Sequence, residues 1–335
     1  MSGPAAEFGS AADLVRDEGV LADVPTCEWH GWGAVAAVGG IAVLPWRFQA
    51  RAAEAGRVAT QVDAHGLCGF AQAVVRIGKG RAATEADVCA AWSALTPTGR
   101  LLITGKNDVG ISTWAKRLTA AIGVPGDVLV NRAHGRVVAF SRTGSNTALT
   151  QPVARVVPLP DGTPVVVAPG VFSGDGLDGG TQLLLQALAE VDLPTDFSGT
   201  IVDVGCGAGH LGIAAARRWP AARVTLLDAD ARAVACATTN ATSSASGLRT
   251  QVQWWDEFDP WPVPDADLVL MNPPCHAGTS VDLTIARRLF ACVSGRRLLV
   301  VANRQLAYEA DLHRLGAVDC VADDGRFKVL SVVRF

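Results

Sequence analysis

Three stretches carry residues whose types and spacing can do chemistry. Asn272-Pro273-Pro274 directly follows an apolar run, Asp267-Leu-Val-Leu-Met271. An apolar run ending in two prolines reads as a buried strand with a stiff loop at its carboxyl end, so the Pro273 carbonyl is left without a strand partner. An asparagine oxygen beside a main-chain carbonyl accepts both hydrogens of a planar NH2 group. That aims the nitrogen lone pair at an electrophile and stabilises the positive charge that develops there, by alignment rather than by a strong base.

The second stretch is Ile201-Val-Asp-Val-Gly-Cys-Gly-Ala-Gly-His210. A strand breaking into Gly205, Gly207 and Gly209 before a helix brings bare backbone close to a ligand. Asp228 ends the next apolar strand, Arg223-Val-Thr-Leu-Leu-Asp228. An acid at that strand end accepts hydrogen bonds from both hydroxyls of a ribose. The dinucleotide fingerprint is G-x-G-x-x-G, whereas here Asp203 stands two residues before the first glycine. A carboxylate facing the ligand there suits a cationic amino acid and repels a pyrophosphate, so the pattern fits S-adenosylmethionine rather than NAD. The third stretch is Pro169-Gly-Val-Phe-Ser-Gly-Asp-Gly-Leu-Asp-Gly-Gly-Thr-Gln182. It reads as a loop over the cofactor, with Phe172 and Asp178 as candidate contacts and Asp178 as the cap of the helix that follows.

As a set, three motifs resemble the RsmC-type ribosomal RNA guanine-N2 methyltransferases. They are Pro169 to Leu185, Val202-Asp-Val-Gly-Cys-Gly-Ala-Gly209 and Asn272-Pro-Pro-x-His-x-Gly278, supported by Val301-Ala-Asn303, Tyr308 and Gly325-Arg-Phe-Lys-Val329. The resemblance spans about residues 165–335; the first half matches more loosely, chiefly through Gly105-Lys-Asn107. It implies two methyltransferase-like domains, the first degenerate and without cofactor. It also implies that Asp203, Gly205, Cys206, Gly207 and Gly209 hold the methionine part, Asp228 the ribose and Asp256 the adenine region, with Asn272 at the catalytic position. The implied partner is ribosomal RNA or the small ribosomal subunit. One residue departs from the pattern. The position after the second proline is usually aromatic and stacks on the target base, a contact worth about 1–3 kcal/mol; here it is Cys275. Trp254, Trp255 or Trp261 is a candidate substitute. Cys275 and His276 are counted with the substrate side of the site, without a nucleophilic role, because methyl transfer to an amine needs none. Asn-Pro-Pro by itself suits any planar NH2. Adenine-N6, a protein glutamine amide, or a non-catalytic RNA-binding role in ribosome assembly therefore stay open as alternatives.

The elements that must position these residues follow from pattern. The 335 residues suffice for two cored domains; 49% are hydrophobic and 18% charged, which is globular composition. No apolar run reaches membrane-spanning length and no signal peptide opens the chain. Eight cysteines, at 27, 68, 89, 206, 236, 275, 292 and 320, form no C-x-x-C pair. That reads against a metal site and fits a reducing cytoplasm. Residues 1–27 read as a disordered leader with a short helix. Residues 28–150 read as the degenerate domain and 151–335 as the catalytic one, with a Gly/Pro/Ser/Thr-rich boundary between. Expected strands in the first domain are 34–38, 41–44, 71–77, 99–104 and 137–141, with helices over 84–95, capped by Thr84 with Asp87 in a capping box, and 112–122. In the second, β and α alternate and end in an antiparallel hairpin over 318–322 and 327–334. The fold class is α/β, with two Rossmann-type sheets. Residues 31–150 carry thirteen Lys/Arg against six Asp/Glu, although the whole chain has a net charge of −3. That basic balance, with Lys79-Gly-Arg81 as a loop, points to RNA docking by the first domain.

Overall fold

The computed structural model describes residues 14–333 apart from 16–17, 32, 53–57, 60–65, 79, 133, 144–148, 174–175, 244–248, 275, 278–279 and 282. The chain forms two compact units, Met1–Val153 and Ala154–Phe335. In the first, the elements run β1 (Thr26–Trp29), α1 (Gly33–Val38), β2 (Gly40–Val43), α2 (Arg47–Ala52), β3 (Val58–Ala59), β4 (Phe70–Arg76), α3 (Arg81–Ala94), β5 (Leu95–Lys106), α4 (Ile111–Ile122), β6 (Asp127–Arg132) and β7 (Gly135–Ser141). The second holds β8 (Arg155–Val156), β9 (Val166–Val167), α5 (Gly179–Ala189), β10 (Thr200–Val204), α6 (His210–Arg218), β11 (Arg223–Asp228), α7 (Ala231–Ser243) and β12 (Thr250–Trp254). It continues through β13 (Leu268–Met271), β14 (His276–Ala277), β15 (Ser280–Val281), α8 (Thr284–Cys292), β16 (Arg297–Asn303), α9 (Tyr308–Leu312), β17 (Ala317–Asp323) and β18 (Phe327–Val333).

Each unit has a seven-stranded sheet, β3-β2-β1-β4-β5-β7-β6 in the first and β12-β11-β10-β13-β16-β18-β17 in the second. Numbered by order within each sheet, both run 3-2-1-4-5-7-6. The first five strands pair parallel, and the last two close the sheet as an antiparallel hairpin slotted in reverse order. Helices cover the faces of the second sheet, so its central strands β10 and β13 are apolar and buried almost throughout. Trp219 and Tyr308 are among its largest buried side chains, the latter edge-on to Phe290 at 5.2 Å. Among the described residues no helix is long and apolar enough to cross a membrane.

The first unit departs from the sequence expectation at several points. Residues 34–38 are helical, not extended: the Glu28 carboxylate of β1 accepts from Ala34 N–H at 2.8 Å and Val35 N–H at 3.1 Å. Those are donors that a helix start leaves unpaired. Alanine and valine in a short run do not separate helix from strand, and the acid decides. β1 itself, Thr-Cys-Glu-Trp, is an interior strand, paired on both sides, although half its residues are polar. Thr84 is no cap and Asp87 closes no capping box. Helix α3 starts earlier, at Arg81 after Gly80, so Arg81 belongs to the helix and not to a loop before it. Asp87 is buried and sits 2.6 Å from Nε2 of His30, the residue that leaves β1 with φ +63°.

The other oxygen of Glu28 binds the Arg76 guanidinium at the end of β4, with Glu28 fully buried and Arg76 nearly so. The guanidinium lies on Gly31, where a Cβ would collide with Arg76 Nε. A buried ion pair adds little net stability, but breaking one strands a charge. Arg76→Ala should therefore destabilise the protein by about 3–5 kcal/mol, and Arg76→Met combined with Glu28→Gln by clearly less. Urea denaturation of the full chain followed by tryptophan fluorescence checks both; equal losses would mean that the stranded charge is not the cause.

Candidate active site

The carboxyl ends of β10, β11, β12 and β13 share one edge of the second sheet, and the chemistry-bearing residues gather there. Gly205, Gly207 and Gly209 turn the chain out of β10 with φ of +70°, +55° and +94°, a region that favours glycine. β11 holds this turn: Gly205 N–H and Cys206 N–H both donate to the Leu227 carbonyl, at 2.9 and 3.0 Å. A Cβ on Gly205 would meet nothing within 4 Å, so the turn presents open backbone, whereas at Gly209 it would press on Leu226 at 3.0 Å. The first and last glycines thus differ: Gly205 borders open space, whereas Gly209 packs helix on strand.

Asp203 lies fully buried beneath the turn. Its Oδ2 accepts from Gly212 N–H in the first turn of α6 at 2.8 Å, and its Oδ1 has no hydrogen-bond partner among the described residues. Burial, with Asp228 nearby, pushes its carboxyl up to about 7. Asp228 ends β11 half-buried and accepts Gly207 N–H on Oδ2 at 2.8 Å and Asp230 N–H on Oδ1 at 2.9 Å. Burial pushes it up to about 6. Asp230 is tied in turn to Arg232 at 2.7 Å. Each Asp228 oxygen keeps capacity for one further donor. Asp256, just past β12, is buried and accepts Phe258 N–H at 3.0 Å. Cys206 is buried, which raises its thiol well above the ordinary value and makes it inert.

Asn272 leaves β13 half-buried, followed by a buried Pro273 and an exposed Pro274. Its Nδ2 donates to Asp178 Oδ2 at 3.2 Å and to Thr181 Oγ1 at 3.0 Å. Asp178 caps α5 as its spacing predicts, accepting Thr181 N–H at 3.1 Å. Phe172 is exposed, with its Cβ 3.9 Å from where a Cβ on Gly207 would stand, so that loop reaches the glycine turn. Cys275 and Lys79 lie outside the described residues, and His276 is described only as part of the β14–β15 hairpin. Arg81 is an exposed side chain in the other unit, 3.1 Å from Glu85 one helical turn on. Trp255 is buried, its indole donating to the Pro260 carbonyl at 3.0 Å, and is no substitute stacking ring.

Two residues absent from the sequence reading of the site matter to its geometry. Thr181 had a signal, its position three residues after the capping acid. Asn240 had none. It is buried in α7, accepts Val166 N–H at 2.9 Å and donates to the Val166 and Ala208 carbonyls at 2.7 and 2.9 Å, tying β9 to the glycine turn. Among the described residues no group of His, Cys, Asp or Glu could hold a metal.

This strand order, with a glycine turn, a strand-end acid and an Asn-Pro-Pro loop on one edge, defines a class I methyltransferase domain. Comparison with known proteins agrees: residues 162–331 match the family model "Methyltransferase small domain". A ribosomal RNA small subunit methyltransferase C of Pseudomonas paraeruginosa is 35% identical over 334 residues, 96% of this chain and 93% of that protein. Its counterpart in Pseudomonas aeruginosa strain LESB58 is 34% identical over 333 residues, with the same coverage of both chains. The solved structure of the T. thermophilus 16S rRNA N2 methyltransferase RsmC in complex with AdoMet and guanosine superposes with a TM-score of 0.80, at 23% identity, over 97% of this chain and 92% of that one. The chain belongs to the ribosomal RNA small subunit methyltransferase C family, and is a methyltransferase with two sheets of like topology.

The raised Asp203 carboxyl has a consequence for the ligand-free protein. The folded state keeps the proton that the unfolded chain has released, so this carboxyl's contribution to stability is fully present below the ordinary carboxylate range and is lost as pH rises from about 4 to about 7. Asp203→Asn should remove this contribution. Its stability relative to wild type should rise across that window and then level off, as read from urea midpoints at successive pH values. A pH-independent difference between the two proteins would refute the assignment.

Proposed function

We propose that the protein transfers a methyl group from S-adenosylmethionine to the exocyclic N2 of a guanosine in ribosomal RNA, in the cytoplasm, with free RNA or the small subunit as the form it meets. The observation that carries this reading is Asn272. Its amide nitrogen is turned inward to Asp178 and Thr181, which leaves its oxygen to accept an incoming amine on the edge that bears the glycine turn. Family membership names the acceptor: full-length relatives are ribosomal RNA small subunit methyltransferases, and the related solved structure holds AdoMet and guanosine.

The residues present fit the cofactor. Asp203 Oδ1 is a buried acceptor without a partner among the described residues, the chemistry an α-ammonium group satisfies, and the space above Gly205 admits a ligand against bare backbone. Asp228 retains acceptor capacity for ribose hydroxyls, Asp256 stands at the next strand end for the adenine region, and Phe172 offers an exposed ring beside Gly207. The bound cofactor supplies a methyl group made electrophilic by a sulfonium. Asn272 Oδ1 and the Pro273 carbonyl accept the two N2 hydrogens of guanine and hold the lone pair toward that methyl group. As the N–C bond forms and the methyl–sulfur bond breaks, leaving the neutral thioether S-adenosylhomocysteine, the same oxygens would stabilise the positive charge growing on N2, and the surplus N2 proton would leave to solvent. Asn272→Ala should lower the rate about a hundredfold or more while leaving cofactor affinity nearly unchanged. Transfer of labelled methyl to total RNA, to small subunits and to protein, with calorimetry for the cofactor, checks this. Label appearing on protein alone would overturn the RNA reading.

The first unit is proposed to dock RNA. Arg81 is exposed, and its partner Glu85 is partly so, a pairing weak enough for phosphate to displace. Affinity for RNA should fall steeply with salt because phosphate contacts release counterions. Reversing the charge of Lys79 and Arg81 together should weaken RNA binding and leave cofactor binding alone. Filter binding at a series of salt concentrations reads both; a flat salt profile would count against docking by this unit.

A further inference from the structure

Asn272 reaches across 94 residues of sequence to the cap of α5. A side-chain amide is nearly symmetric in shape, and on a free loop it would present its oxygen or its NH2 to an incoming base with similar ease. Only the oxygen can accept an amine's hydrogens. The NH2 would point donor at donor.

The partners of Asn272 remove that ambiguity. A carboxylate only accepts hydrogen bonds, so the amide atom facing Asp178 must be nitrogen. The amide has two N–H donors; one goes to Asp178 Oδ2 at 3.2 Å and the other to Thr181 Oγ1 at 3.0 Å. With both donors used, the oxygen is the atom left to present. Asp178 Oδ2 is itself held by Thr181 N–H at 3.1 Å, so cap and clamp are one unit.

The intervening Gly179-Gly180 fits the same device. A Cβ on Gly180 would stand 3.0 Å from Asp178 Oδ2 and 3.4 Å from the Phe327 ring, and one on Gly179 would stand 2.9 Å from that ring. Neither glycine has a positive φ. Their role is close approach, which seats the start of α5 under Phe327 of β18 with its cap against the end of β13.

We propose that Asp178 and Thr181 are positioning residues for methyl transfer: they lock the Asn272 amide with its oxygen toward the acceptor amine, and the Asp178 charge, acting through the shared hydrogen bond, makes that oxygen a stronger acceptor. Charge-assisted hydrogen bonds are the stronger kind, and a bond to the amide nitrogen polarises its carbonyl. This gives Asp178 a role on the acceptor side of the site, where the loop sequence alone reads it as a cofactor contact, and it rests on the reaction proposed above.

The test uses variants that keep the fold. Asn caps helices as well as Asp does, so Asp178→Asn preserves α5 while removing the charge and the enforced orientation. It should lower kcat about tenfold to a hundredfold, with the dissociation constant for S-adenosylmethionine unchanged. Thr181→Val should lower kcat, and Thr181→Ser should restore it. In an Asn272→Ala background Asp178→Asn should change nothing further, because the residue acts through Asn272. A second readout does not need turnover. In the full-length protein with 15N-labelled asparagine, the Asn272 side-chain NH2 should exchange slowly with solvent, and Asp178→Asn should speed that exchange.

An Asp178→Asn protein with wild-type kcat, an effect that persists without Asn272, or a loss confined to cofactor affinity would each overturn the proposal. So would an Asn272 amide that exchanges as fast as exposed ones. A wild-type protein that methylates no RNA, yet shows the protected amide and its release in Asp178→Asn, would sink the proposed reaction and leave the clamp standing.

Discussion

One contact recurs at the heart of both units: a carboxyl group in an interior strand of the sheet accepts from the start of the helix that follows. Asp203 takes Gly212 N–H, and Glu28 takes Ala34 N–H and Val35 N–H. A helix start carries unpaired N–H donors, so a buried carboxyl oxygen beneath it finds its hydrogen-bond partners in the fold itself. The contact fixes where the helix begins relative to the strand, and so fixes the turn between them. Everything at the carboxyl edge of the second sheet depends on the shape of that turn.

The two units then differ one strand over. Trp29 pairs in register with Val75, and Val204 with Met271, so Arg76 and Asn272 occupy corresponding positions just beyond. In the first unit the spare oxygen of the central acid is taken by Arg76, whose guanidinium covers the turn at Gly31. In the second, the spare oxygen of Asp203 is unclaimed and the turn at Gly205 is bare. A single long cation fills internally, in one sheet, the position left for a ligand in the other.

Much of the second unit was legible because its signals are local. β11 was read at its observed bounds, and the closing hairpin within two residues, because each is an apolar run bounded by turn residues. The first unit was read less well where a distant side chain decides the backbone. Helix α1 looks like a strand until Glu28 is brought to its start, and Asp87 looks like a capping acid until His30 is brought against it. The candidate site shows the same division. The glycines, Asp228 and Asn272 announce themselves by type and spacing. The clamp on Asn272 is invisible in sequence because Asp178 and Thr181 meet it only once α5 has packed beside β13. Asn240 had no local signal at all, since its partners lie 32 and 74 residues away.

The seat of α5 also sets a schedule for synthesis. The ring that covers Gly179 and Gly180 belongs to Phe327, at the start of the last strand, and that strand lies between β16 and β17. A growing chain that has made the glycine turn, both strand-end acids and Asn272 still has an open slot in its sheet and an uncovered helix start. The cap that holds Asn272 reaches its final seat only when the closing hairpin inserts, a step that long-range pairing makes late. The residues proposed to bind cofactor therefore all precede, in the chain, the ring that completes the seat of α5.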